Sequence, residues 1–200
     1  MHYPIDWERE YDEAEGDHHL LWETGVPESL FVAFTCREIG GRAHVLDVGC
    51  GWGTDLVFLS GRGHCCTGVD ISLAALTHAR KRGEEQGAVF MLVQGDALSL
   101  PFGQDVFDVI NDRGCFHHIL PSRREPFVAE ILRVLRKGGI YLLRCFSEKY
   151  FNSGGAGHRF TGNDVKGLFS PYFAMRAPVE YESIVDSIPV AMTWWIMKRL

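Results

Sequence analysis

From Ala43 onward, short apolar runs alternate with stretches whose apolar residues recur every three or four positions, the pattern of parallel strands joined by helices. The runs AHVLDVG (43–49), HCCTGVD (64–70), AVFMLVQGD (88–96), VFDVIND (106–112) and IYLLRCFS (140–147) are the predicted strands. Between the first two, GWGTDLVFLSGRG is a glycine turn running into a short helix that closes near Gly61. Ser72 is placed to cap a helix through Arg82, with Leu73, Leu76 and Ala79 on one side and Gly83 and Gly87 helping to end it. PFGQD (101–105) reads as a turn. SRRE (122–125) has the form of a capping box, and Phe127, Ile131 and Leu135 recur at four-residue intervals. Lys137-Gly138-Gly139 then has the cation-and-glycine form of a helix stop. The alternation predicts an α/β fold with a doubly wound, Rossmann-like sheet and helices on both faces.

The two ends break the pattern. Residues 1–40 carry one helix, from Pro27 to about Ile39, behind a less regular arm. At the other end, FNSGGAGHRFT (151–161) is a glycine-rich loop holding Phe151 and His158, and TGND (161–164) starts a short helix with Val165, Leu168 and Phe169. Two extended segments follow, around 172–182 and 190–198, with too few residues between them for a crossover helix. They should pair as an antiparallel hairpin at one edge, making seven strands with the five parallel ones. In that hairpin Trp194 and Trp195 face opposite ways, one toward the core and one toward a helix or a partner subunit.

At 200 residues the chain is expected to form a single domain, 1–200, with 41–147 as its core and 148–200 as loop, helix and hairpin. Lys plus Arg is 20 and Asp plus Glu is 26, a formal charge of −6 that suits solubility and opposes a nucleic-acid partner. The acidic N-terminus has no apolar signal core, and no run of 18 apolar residues occurs. A cytoplasmic protein away from membranes, monomer or homodimer, is the expectation. The six cysteines include the adjacent Cys65 and Cys66 and form no CxxC pair, so neither a disulfide framework nor a metal site is expected.

Candidate chemistry gathers at the carboxyl ends of successive strands, where open parallel sheets bind ligands. Gly49-Cys50-Gly51-Trp52-Gly53 follows Asp47, and glycines there let backbone N–H groups approach a ligand. Asp70 ends the second strand, placed to accept from ribose hydroxyls. Asp96 follows the third, with the Ala97 N–H beside it, and together they match the edge of adenine. Each alone reads equally well as a tight turn or a cap, but three at successive strand ends point to a nucleotide-like cofactor. The glycines do not fit GxGxxG, and no GK followed by Ser or Thr occurs, which favours a nucleoside without phosphates.

LDVGCGWG, GVDIS and GDALSLPF resemble the cofactor motifs of class I S-adenosylmethionine-dependent methyltransferases. Trp22-Glu23-Thr24-Gly25 with Pro27, and Asp112-Arg113-Gly114-Cys115-Phe116-His117-His118, resemble the branch containing thiopurine and tellurite-resistance methyltransferases. The resemblance covers roughly residues 20–200. It implies S-adenosyl-L-methionine as cofactor, S-adenosylhomocysteine as product, and a small-molecule acceptor methylated at a thiol, a chalcogen or a natural-product heteroatom. It further implies that Asp47, Gly49, Cys50, Gly51, Gly53, Asp70, Ile71, Asp96, Ala97 and Asn111 surround the cofactor. The Gly49 and Asn111 carbonyls would lie near the methionine ammonium, and Trp22 would close over it as part of an arm covering the site. Trp52 stands where that family commonly has a small or polar residue, which would reshape the groove near the methionine carboxylate. His117 and His118 are candidate bases and Arg113 a candidate partner for a carboxylate or an anionic acceptor. Cys115 and Cys145 read as buried small hydrophobes rather than metalloid ligands. A protein or nucleic-acid methyltransferase, and a non-catalytic cofactor-binding protein, are the alternatives.

Overall fold

The computed structural model describes residues 5–14, 20, 22–148, 157–185 and 188–200. Its elements run in chain order as α1 (Trp7–Glu13), α2 (Ser29–Glu38), β1 (His44–Val48), α3 (Thr54–Gly61), β2 (Cys65–Asp70), α4 (Leu73–Glu85), β3 (Met91–Gln94) and β4 (Phe107–Arg113). After β4 come two short 3₁₀ turns (Phe116–His118 and Pro121–Arg123), then α5 (Arg124–Val134), β5 (Leu135–Phe146), α6 (Gly162–Phe169), β6 (Phe173–Met175), β7 (Val179–Val185) and β8 (Ile188–Arg199). One sheet has the order β3-β2-β1-β4-β5-β8-β6, with β7 also paired to β8. The first five strands are mutually parallel and β8 runs antiparallel to β5.

Alternation along the central strands assigns the two cores. Leu46 and Val48 turn to the face covered by α5 and α6, where Phe127, Ile131, Val165 and Phe169 are buried. Val45 turns to the opposite face, with Phe31 and Phe34 of α2, Leu56 and Leu59 of α3, and Leu76 of α4. Burying each such side chain stabilises the fold by roughly 1.5–3 kcal/mol. Trp194 and Trp195 divide between these cores. Trp194 meets Phe34 edge-on at 5.5 Å, while Trp195 joins the α5–α6 side.

The doubly wound sheet matches the reading of the sequence, with local corrections. Eight strands replace seven because Pro178, which has no N–H to donate, divides the segment before β7. Both pieces pair with β8, Phe173 opposite Arg199 and Val179 opposite Trp194. The box expected at SRRE does not form. The helix starts after Arg123 with no side-chain cap, and its third residue is Pro126, which has no N–H for a cap to satisfy. Nor do Lys137 to Gly139 end α5, which stops at Val134. They form a bulge inside β5, between the Phe107–Leu135 and Val109–Ile140 pairs, where a Cβ on Gly139 would meet the Asp108 carbonyl at 3.0 Å. Gly83 lies within α4 because Phe90 leaves no room for a side chain, a Cβ there standing 2.7 Å from its ring.

The N-terminal arm holds an unexpected element. Asp6 accepts from the Arg9 N–H at 3.3 Å, and α1 buries Tyr11 with Ala14 behind it. Trp7, Tyr11 and Ala14 follow the spacing of a helical stripe, a signal available in the sequence. Phe151 lies outside the described residues.

Candidate active site

The strand ends open onto a cavity of about 360 Å³. One side is backbone and strand-end acid: Gly49, Cys50 and Gly51 after β1, Asp70 and Ile71 at β2, and Gly95 with Ala97 after β3. Gly49 has φ +64°, and a Cβ on it would stand 2.8 Å from the Cys115 Cβ, so the loop after β4 can close on it only because it is glycine. The Gly51 N–H donates to Asp70 Oδ2 at 2.9 Å, and the Ser72 N–H to Asp70 Oδ1 at 3.0 Å. Burial raises the Asp70 carboxyl above its ordinary range, and those N–H groups oppose the rise. Asp70 is therefore a cavity-facing acid and the brace of the glycine loop at once.

The other side comes from scattered elements. His117 and His118, in the turn after β4, share it with Phe146 of β5, Met192 of β8 and Trp7 of α1. In an extended segment two adjacent histidines would point to opposite sides. A 3₁₀ turn instead brings both to the cavity, ring centroids 4.4 Å apart. His117 stacks on Phe146 at 3.9 Å, and its carbonyl accepts from the His158 N–H at 2.6 Å. Burial, with His118 and His158 adding, pushes His117 well below the usual imidazole range. Burial and His158 push His118 down to about 4. Both rings are neutral at pH 7, with their Nδ1 atoms buried and unpartnered among the described residues.

Beneath the site runs a network of buried charge. Asp47 Oδ1 accepts from Asn111 Nδ2 at 2.6 Å, and the same amide donates to Asp55 at 3.0 Å. Arg144, only 1 % exposed, donates to Asp55 at 2.5 Å, to Asn111 at 2.7 Å and to Glu28 at 3.2 Å. Arg113 lies 3.8 Å from Asp55 and 3.6 Å from Glu23, and Glu23 also pairs with Arg82 at 3.0 Å. Burial would raise the Asp55 carboxyl, but Arg113 and Arg144 hold it at about 2. Burial and the charge on Asp55 push Asp47 up to about 8. With Asp47 neutral, Glu23, Glu28 and Asp55 balance Arg82, Arg113 and Arg144.

The cavity wall includes Trp22, Asp47, Gly49, Cys50, Gly51, Asp70, Ile71, Ala97, Arg113, His117 and His118. Gly53, Asp96 and Asn111 stand behind it. Gly53, at φ +73°, sits against Ala79 as the turn into α3. Asp96 Oδ1 accepts from the Leu98 N–H at 2.8 Å. Asn111 is spent on the Asp47–Asp55–Arg144 network. Trp52 also lies off the wall, stacked on His78 at 4.6 Å. Burial raises the Cys50 and Cys115 thiols well above their ordinary range, and Cys145 is buried in the core. No group of three metal-ligating side chains occurs among the described residues, and none of their helices is long and apolar enough to cross a membrane. The sequence reading missed Trp7, Tyr11, Glu23, Glu28, Asp55 and Arg144.

A methyltransferase-domain model matches residues 45–139. An uncharacterized methyltransferase of Schizosaccharomyces pombe is 33% identical over 110 residues, 54% of this chain and 76% of the relative. The chain belongs to the methyltransferase domain family. Phthiotriol/phenolphthiotriol dimycocerosates methyltransferase of Mycobacterium tuberculosis is 38% identical over 106 residues, 52% of this chain, which spans only 37% of that relative. Among solved structures, one described for the conversion of a disulfide bond into a thioacetal group during echinomycin biosynthesis has TM-score 0.82 at 20% identity, covering 96% of this chain and 92% of that one. Burkholderia thailandensis 1,6-didemethyltoxoflavin-N1-methyltransferase, solved with its acceptor and S-adenosylhomocysteine, has TM-score 0.75 at 21% identity, covering 97% and 88%. The methyltransferase fold is thus that of the class I S-adenosylmethionine-dependent enzymes.

Proposed function

We propose that this methyltransferase carries a methyl group from S-adenosyl-L-methionine to a small molecule by direct in-line displacement. The observation that carries the reading is one cavity lined both by a glycine-and-acid cradle at the strand ends and by His117, His118, Phe146, Met192 and Trp7. Asp70 and Ile71 take the ribose side, Ala97 with Asp96 behind it the adenine side, and Asp47, Gly49, Cys50 and Gly51 the methionine side. Gly53 sets the turn that presents this loop. Trp22, 42 % exposed at the mouth, covers the cofactor. Asn111 acts through Asp47, whose orientation it fixes.

The cofactor supplies a methyl carbon on a sulfonium whose departure leaves a neutral thioether. The chain's own work is to hold an acceptor atom about 3–3.5 Å from that carbon and to take a proton where one must leave. His118 is the better base, since His117 is held by its stacking on Phe146. An unprotonated imidazole can accept a proton from a thiol or hydroxyl at its unprotonated ring nitrogen. Arg113 is shared by Glu23 and Asp55, so it orients the arm more than it neutralises a free anion. The acceptor is a small molecule methylated at sulfur, a heavier chalcogen or a natural-product heteroatom. The motif resemblance to the thiopurine and tellurite-resistance branch and the bound small acceptor of the toxoflavin enzyme support that class.

The test is S-adenosylhomocysteine release on addition of small thiols, selenide, tellurite and heteroaromatic natural products. Cofactor binding is measured separately by calorimetry. Faster methylation of duplex DNA or of a protein tail than of every small molecule would overturn the reading, as would binding of NAD in preference to S-adenosylmethionine.

A further inference from the structure

Helix α1 touches both sides of the cavity and is anchored from outside it. Glu8 Oε2 accepts from the Leu73 N–H at 2.7 Å, and Oε1 accepts from the Ala74 N–H at 3.2 Å, at the start of α4. Ser72 Oγ takes the next donor, the Ala75 N–H, at 3.0 Å. The first N–H groups of a helix have no partner within it, and the helix dipole favours a carboxylate there. Glu8 thus completes the cap of α4 from another element. It is exposed and lies off the cavity wall.

The residues beside it do reach the wall. Trp7 meets His118 edge-on at 4.7 Å and Trp22 edge-on at 5.9 Å. Tyr11 lies over the glycine loop, its hydroxyl 2.8 Å from where a Cβ on Gly51 would stand. With seven residues, α1 is too short to hold its place through its own hydrogen bonds. Its carboxyl-terminal half is fixed by burial of Tyr11 and Ala14 against Ala75. Its amino-terminal half carries Trp7, half-buried and packed on the edge of that same cluster, and the exposed Glu8, whose carboxylate ties it to α4.

We propose that Glu8 is a positioning residue for the acceptor side of the site. By clamping α1 to the start of α4, it fixes Trp7 against His118 and so sets the wall on which the acceptor lies. The acceptor part rests on the methyl-transfer reading; the clamp is a property of the folded chain. Because burial holds Tyr11 independently, losing the clamp disturbs the acceptor wall more than the cofactor cradle.

The experiment uses the full chain as wild type, Glu8→Gln, Glu8→Ala, Trp7→Ala and the Glu8→Ala/Trp7→Ala double variant. Without substrate, the His118 ring-proton resonances report Trp7 directly, and Trp7→Ala defines the fully released position. Glu8→Ala should shift them at least halfway to that position and speed amide exchange at Leu73 and Ala74 by about 10-fold or more. Glu8→Gln, which keeps an acceptor oxygen, should fall between. Unmoved His118 resonances in Glu8→Ala overturn the proposal whatever the kinetics. With an acceptor in hand, Glu8→Ala should raise acceptor KM about 10-fold and change cofactor affinity less than about 3-fold. Added to Trp7→Ala, it should cost less than about 2-fold more. Losses that multiply in the double variant, or that fall on cofactor affinity alone, overturn it equally. Absence of turnover by wild type would sink the functional reading, while the resonance and exchange data still decide the clamp.

Discussion

The two sides of the cavity are built in opposite ways. The side proposed for the cofactor is local: each contribution is a strand end plus the one to five residues after it. Glycine at 49 and 51 and the acid at 70 suffice, because a parallel sheet aligns strand ends without further instruction. The acceptor side is assembled from α1, the turn after β4, β5 and β8, and its character comes from side chains meeting across long chain separations. Trp7 and His118 are 4.7 Å apart in space and 111 positions apart in sequence. A cradle built from local sequence thus faces a wall built from long-range contacts.

The sharpest way to break this contrast is at His118. His118→Ala should lower kcat about 10²–10⁴-fold with cofactor affinity nearly unchanged, if the acceptor's proton leaves through it. Retention of most activity would show that the acceptor ionises unaided. The pH profile sharpens the point. His118 is neutral in the folded chain above about pH 4, so the acid limb of kcat should lie near that pH instead of near the ordinary imidazole value. The sign for stability is fixed likewise. A folded-state value lowered below the unfolded one means a contribution complete above about 6.5 and lost as pH falls toward about 4.

The network under both sides gives the next largest effect. Arg144→Met should destabilise the fold by about 3–5 kcal/mol, because it removes the cation bonded directly to Asp55 and Glu28 and leaves buried Asp55 with Asn111 and the more distant Arg113. Chemical denaturation measures it, and a loss below about 1 kcal/mol would mean that the carboxylates find water or protons instead.

On the cofactor side, Asp70→Ala removes a carboxylate and the brace of Gly51. Cofactor affinity should fall by roughly 1.5–3 kcal/mol in calorimetry, and undiminished binding would end the assignment of that side. The smallest effect is expected at Trp52, the conspicuous residue of the glycine loop. Since it stacks on His78 and does not line the cavity, Trp52→Ala should change cofactor affinity less than about 3-fold. A larger change would mean that the loop's shape depends on that stack.

The alternation of apolar runs and helical stripes was enough to reveal the sheet, its first five strands and both faces of helices, since each such element must bury one side. The cradle was legible for the same reason, its residues being tied to strand ends by position alone. Arg144 left a trace too, a single cation inside the apolar run IYLLRCFS, but nothing nearby in sequence names Asp55 or Glu28 as its partners. Helix α1 was missed although Trp7, Tyr11 and Ala14 have helical spacing, because the acidic residues between them dominate the composition of the arm. Packing alone decided that Trp52 stacks on His78, that the two histidines share one wall, that the glycines after α5 bulge within a strand, and that Glu8 finishes a helix 65 positions away. Periodicity records which side of an element is buried. Which side chains then meet, and which charges balance, depends on distances between elements that the chain acquires only when it folds.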